Sequence, residues 1–222
     1  MSIVLAIAPH PDDETLGCGG ALLRHRSLGD EIHWLIVTAL SPRFADAARI
    51  ARREREIAAV AKAFGFASTA ELGFETTALD RVPVGDLVAR VAETVDRLRA
   101  ETIYLPHPGD AHSDHRAVFQ AGIGASKCFR HPSVTRVLAY ETLSETNFGL
   151  DPLALPFRPI TYAPIGPWLD RKVEIMSLYE GETGEHPFPR SERAIRAQAT
   201  LRGTECGTAA AEAFMLIKEI LP

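Results

Sequence analysis

The sequence predicts an α/β protein of Rossmann-like type: a mostly parallel sheet, helices on both faces, and a less regular subregion near the C-terminus. Three observations predict it. Short β-rich runs alternate with amphipathic helical stretches through the first 142 or so residues, which is the pattern of βαβ units. Two clusters of histidines and carboxylates each follow one of those β-rich runs, where α/β folds place their chemistry. Beyond Ser133 the alternation gives way to a proline-punctuated stretch.

The first strand is the apolar run Ile3 to Ile7. A polar turn follows, Ala8-Pro9-His10-Pro11-Asp12-Asp13-Glu14, and leads through Thr15-Leu16-Gly17-Cys18-Gly19-Gly20 into a helix that continues from Ala21 to Leu28 and stops at Gly29. Glu31 to Ala39 reads as the second strand. Arg43 to Phe64 is helical, with Ile50, Ile57, Val60, Ala61 and Phe64 on one stripe and Gly65 as its stop. Glu71 to Phe74 gives a short third strand, and Pro83 to Ala100 another amphipathic helix on Leu87, Val91, Val95 and Leu98. Thr102 to Pro106 is a buried strand, Asp114 to Lys127 a helix, and Val134 to Thr142 a strand. Pro152, Pro156, Pro159, Pro164 and Pro167 then interrupt regular structure. Helices are expected at Trp168 to Tyr179, Ser191 to Leu201 and Ala209 to Ile220, the first two separated by the polar loop Gly181 to Arg190.

Composition narrows the function. A net charge of −5 without a basic block argues against a nucleic-acid or anionic-membrane partner. Cys18, Cys128 and Cys206 are odd in number, far apart and without a CxxC pair, which speaks against a disulfide framework or a structural zinc knot. No apolar run approaches the roughly 20 residues that cross a bilayer, and the first residues lack a leader pattern, so a cytoplasmic protein is expected. The glycines at 17, 19 and 20 form neither a dinucleotide fingerprint nor a Walker loop; close packing of the helix on the sheet explains them better.

In the first polar turn, acids at a helix start could be mere capping, but three in a row exceed what a cap requires. His10 and Asp13, three residues apart across the turn, can converge on one ion. The second cluster is His107-Pro108-Gly109-Asp110-Ala111-His112-Ser113-Asp114-His115. His25, His33 and His131 carry no such partners.

His-Pro-Asp-Asp-Glu after the first strand and Asp-x-His-x-Asp-His after a later one resemble the LmbE-like (PIG-L) superfamily of zinc-dependent deacetylases, most of which act on N-acetylglucosamine-type amides. Arg53 and Glu56 with Ala59 and Gly65 fit a further helix pattern of that family. Tyr140-Glu141, Lys172, Tyr179 and Ala211-Glu212-Ala213-Phe214 extend the match more loosely, and Ser113 stands where many relatives have Pro. The resemblance implies one LmbE-like domain over 1–222, with a core to about 142 and a subregion from about 143. It implies one Zn²⁺ per chain held by His10, Asp13 and His115, leaving a position for water. It makes Asp12 the general base and His112 the donor to the oxyanion, with Asp114 orienting His112 and favouring its imidazolium form.

Glu14 is read as a helix-start or supporting acid, and Asp110 as holding a motif histidine. Arg53, Arg190 and His186 are the candidates for substrate binding. The two long irregular segments, Thr142 to Pro167 and Gly181 to Arg190, together with Arg53, are expected to wall the pocket above the metal. The expected substrate is an N-acetylated amino sugar or its conjugate. Another amide, or a metal- or carbohydrate-binding relative without turnover, are the alternatives, and a homo-oligomer stays open.

Overall fold

The computed structural model describes residues 1–221 and places seven strands in one sheet with helices on both sides. The strands are β1 (Ile3–Ala8), β2 (Glu31–Ala39), β3 (Ser68–Glu75), β4 (Thr102–Pro106), β5 (Arg136–Tyr140), β6 (Thr161–Pro164) and β7 (Ala211–Glu219). The helices are α1 (Asp13–Ser27), α2 (Ala47–Phe64), α3 (Val84–Leu98), α4 (Ser113–Gly124), α5 (Leu169–Met176) and α6 (Glu192–Cys206). Spatial order is β3-β2-β1-β4-β5-β7-β6. The first five strands are mutually parallel, and β7 runs antiparallel to both of its neighbours.

The alternation of side chains along each strand splits the core in two. Val4, Ala6 and Ala8 of β1 face one side and pack with Leu16 and Leu22 of α1, Val60 and Phe64 of α2, and Ile175 of α5. Leu5 and Ile7 face the other and pack with Leu87, Val91 and Val95 of α3 and Val118 of α4. Central strands buried on both faces read as continuous apolar runs, and β1 and β4 do so here.

The chain goes from β1 outward through β2 to β3, then crosses back to β4 on the other side of β1. The crevice between the carboxyl ends of β1 and β4 is therefore the topological switch point. Both polar clusters leave the sheet there.

Two expectations are corrected. The segment 209–220, rich in Ala, Glu, Leu, Met and Lys, reads as helix by propensity but forms β7. Its backbone fills the slot between β5 and β6, pairing from Arg136↔Glu219 to Tyr140↔Phe214 with a register shift between Val137 and Leu138, and from Thr161↔Phe214 to Pro164↔Ala211. Propensity is a weak prior, and two strand edges needing partners outweigh it. The proline-rich stretch likewise contains an unexpected strand, β6, at the sheet edge where prolines are tolerated. The region after residue 143 thus extends the same sheet.

The glycines of α1 serve close packing, as the sequence implies. A Cβ at Gly17 would lie 2.1 Å from Cδ2 of the Tyr140 ring, and one at Gly20 would lie 2.7 Å from Ile165.

Candidate metal centre and active site

The loop after β1 is anchored to β2: Thr38 donates to the Pro9 carbonyl through its N–H at 3.0 Å and its hydroxyl at 2.8 Å. Asp12, the residue before α1, has φ of 132°, a strained value for a residue with a Cβ. The buried carboxylate of Glu14 accepts the Asp12 N–H at 3.1 Å and is itself held by the hydroxyls of Thr15 and Tyr179, the latter at 2.7 Å. Three of the four described non-glycine residues with positive φ, namely Asp12, Thr77 and Ser144, line the same cavity; the fourth, Arg99, merely ends α3. Strain of this kind collects at functional sites.

The cavity, of about 430 Å³, opens over the switch point. At its base the ligand-type atoms of His10, Asp13 and His115 lie within 4.8 Å of one another. Oδ2 of Asp13 is the hub, 3.3 Å from Nδ1 of His10 and 3.3 Å from Nε2 of His115. The remaining ring nitrogens each meet a carboxylate: His10 Nε2 meets Asp114 Oδ2 at 3.1 Å, and His115 Nδ1 meets Asp110 Oδ2 at 2.8 Å. Metal-binding histidines are characteristically oriented in this way.

The electrostatics suit a cation. Burial opposes the ionised form of Asp13, but the adjacent His115 and the bonds from both histidines hold its carboxyl far below the usual range. Burial likewise opposes the charged form of His10, yet bonds to Asp114 and Asp13 push the group up to about 9. Two imidazole nitrogens and one carboxylate oxygen converge on a single point. Two histidines and an aspartate form the three-ligand set of a catalytic zinc site, so the residues present fit such an ion.

Asp12 also lines the cavity, and burial together with the charges of Asp13 and Glu182 raises its carboxyl well above the usual range. His112 lies beside His10, with ring centroids 4.5 Å apart. The Asp114 carboxylate, expected to act on His112, bears on two histidines. The Asp114 carboxylate serves His10, and it also accepts the N–H groups of Thr77 at 2.7 Å and Leu79 at 3.1 Å. It stands 3.9 Å from Nδ1 of His112, which instead accepts the Asp114 backbone N–H at 3.1 Å. Burial and the charge of His10 push His112 down to about 4. Its Nδ1 accepts in this arrangement, which leaves Nε2 to carry a proton.

The cavity wall agrees in part with expectation. Arg53 reaches it, donating to the Pro11 carbonyl at 3.0 Å and to Glu182. Arg190 reaches it as well, donating to Glu182 Oε2 at 2.8 Å and to the Ser144 hydroxyl at 3.1 Å. Glu182, which the sequence did not single out, joins these two arginines; only the fold brings residues 53, 182 and 190 together. From the proline-rich segment Thr142, Ser144 and Glu145 line the wall, while Leu155 turns to His107, whose Nε2 donates to its carbonyl at 2.8 Å. His186 does not belong to this site. It is exposed and lines a separate depression with Glu185 and Ser191. Further lining, also unanticipated, comes from the β2–α2 connection and early α2: Leu40, Phe44, Arg49 and Ile50.

Comparison with known proteins points the same way. The family model described as PIG-L, GlcNAc-PI de-N-acetylase, matches residues 5–126. The chain is 29% identical over 146 residues to the uncharacterized deacetylase YaiS of Escherichia coli (strain K12), a match spanning 64% of this chain and 74% of that one. Among solved structures, a conserved protein of Thermus thermophilus superposes with a TM-score of 0.80 at 26% identity, covering 100% of this chain and 97% of the other. N,N'-diacetylchitobiose deacetylase of Pyrococcus horikoshii gives 0.78 at 17% identity, covering 98% and 84%. The 4-carboxy-2-hydroxymuconate hydratase of Pseudomonas putida gives 0.75 at 17% identity, covering 100% and 98%. The last two likenesses are of fold alone, and that fold hosts more than one reaction.

Proposed function

The chain belongs to the PIG-L (GlcNAc-PI de-N-acetylase) family, and from that premise we propose that it is a zinc-dependent hydrolase removing the acetyl group from an N-acetylated amino sugar or its conjugate. The observation that carries the reading is the convergence of His10, Asp13 and His115, each histidine backed by a carboxylate, beneath a cavity that also holds Asp12 and His112. His10 through Nδ1, Asp13 through Oδ2 and His115 through Nε2 would hold the ion. When bound, zinc supplies Lewis-acid polarisation of the amide carbonyl and lowers the pKa of water toward 7.

The side chains supply the rest. Asp12 takes a proton from the attacking water and returns it to the departing amine, a role suited to a carboxyl raised by burial. His112, with its Nδ1 already occupied by the Asp114 N–H, offers its Nε2 proton to the oxygen that becomes negative. Arg53 and Arg190, joined by Glu182, present donors to sugar hydroxyls in a cavity whose lining also includes the apolar Leu40, Phe44 and Ile50. Such an amphipathic cleft matches a pyranose, which has one polar rim and apolar C–H faces.

Acetate release decides the matter. Zinc-loaded protein is assayed on a panel of N-acetylated sugars and their nucleotide-, lipid- and thiol-linked conjugates, with chelator-treated protein as control. Chelator-sensitive acetate release is expected. A hydratase shares this fold, so addition of water to an unsaturated carboxylate is the rival reaction against which the panel is read. Loss of enol absorbance with no acetate from any sugar would establish that rival instead.

A further inference from the structure

Helix α1 is not continuous. Cys18 has φ of −142° and ψ of 15°, which breaks the helix one turn after Asp13. Sharp breaks arise where a side chain enters the i→i−4 ladder, and here two do. Nζ of Lys172 donates to the Leu16 carbonyl at 2.8 Å, while the carboxylate of Glu212 accepts the N–H groups of Gly20 at 2.8 Å and Ala21 at 2.7 Å. The Leu16 carbonyl and the Gly20 N–H are the groups an unbroken helix would pair with each other. The two side chains also bond to one another at 2.7 Å and are almost fully buried, with side-chain exposures of 3% and 5%.

We propose that Lys172 and Glu212 are positioning residues for the metal centre: their ion pair, inserted in α1, sets the direction of the short turn that carries Asp12, Asp13 and Glu14. The break separates that turn from the long part of the helix. The glycines on either side of the break admit bulky neighbours, Gly17 the Tyr140 ring and Gly20 the Ile165 side chain. The short turn is free to point its Asp13 carboxylate at His10 and His115. The pair comes from α5 and β7, so the C-terminal third of the chain, which offers no ligand-type residue to the cluster, fixes its geometry. Removing both charges lets Leu16 and Gly20 pair, and the helix straightens.

The inference rests on the metal reading and not on the substrate. The test is zinc affinity, measured by competition with a chromogenic chelator on folded full-length protein, beside the melting temperature. The double variant Lys172→Met/Glu212→Leu is expected to melt near the wild type, since replacing a whole buried ion pair by apolar residues is often neutral. Its zinc affinity should fall by roughly 10–100-fold, the range for lost support of a metal ligand. Lys172→Arg, which keeps charge and donors, should stay within about threefold of wild type on the same scale. A folded double variant with wild-type affinity overturns the proposal. Should the double variant not fold, Glu212→Asp supplies the answer: it keeps the charge on a shorter arm, and unchanged affinity there overturns the proposal equally. A wild-type chain that binds no zinc removes the metal reading, and this inference with it.

Discussion

The carboxylate of Asp114 can support the site through either of two histidines, and Asp114→Asn separates them. Its Oδ2 receives His10 Nε2 at 3.1 Å and the Thr77 N–H at 2.7 Å, and its Oδ1 receives the Leu79 N–H at 3.1 Å. Asparagine preserves the shape but offers one acceptor oxygen. If that oxygen stays with His10, a charge-assisted bond becomes a neutral one, a loss of about 1–1.5 kcal/mol. If the amide turns, the bond to His10 is gone, about 1.5–3 kcal/mol. At about 1.4 kcal/mol per tenfold, zinc affinity should fall roughly 5- to 150-fold, because His10 loses both orientation and basicity. Chelator competition measures the affinity, and kcat is then taken at saturating zinc. With the metal restored by mass action, kcat should recover to within about tenfold of wild type, a residual of about 1.4 kcal/mol. Wild-type zinc affinity combined with a kcat reduced a hundredfold or more would refute the reasoning, and would return Asp114 to the service of His112.

Two further predictions rest on single residues. Asp12→Asn should retain zinc while lowering kcat by roughly 10²–10⁴, the range for a general base; an unaltered kcat in zinc-replete protein removes that role from Asp12. Gly17→Ala should destabilise by about 1–3 kcal/mol through overpacking, because the added Cβ meets a Tyr140 ring pinned by its hydroxyl to the Ile7 carbonyl at 3.0 Å. For a chain of this length that lowers the melting temperature by roughly 2–12 °C, and a melt at the wild-type temperature would show that the ring can move aside.

Local pattern was enough wherever the structural cause is local. The strands at 31–39 and 102–106 and the stop of α2 at Gly65 could be read from local runs, and the three residues that converge at the candidate metal site followed from the family resemblance, because strand ends at a switch point put chemistry in short contiguous turns. The expectation of a packing role for the glycines of α1 was equally legible, and a Cβ at Gly17 or Gly20 would indeed run into Tyr140 or Ile165. Failures began where a residue's state depends on a distant partner. Residues 211–219 are strand only because β5 and β6 flank them. Asp114 meets His10, 104 positions away, through a carboxylate that the start of α4 turns toward the β1 loop, while its backbone N–H goes to His112. Glu182 binds Arg53 across 129 residues, and Glu212 enters α1 across 192. Sequence spacing fixes which groups a turn can present. Only the folded sheet, by closing those distances, decides which charge each group meets, and with it each proton and each hydrogen bond at the site.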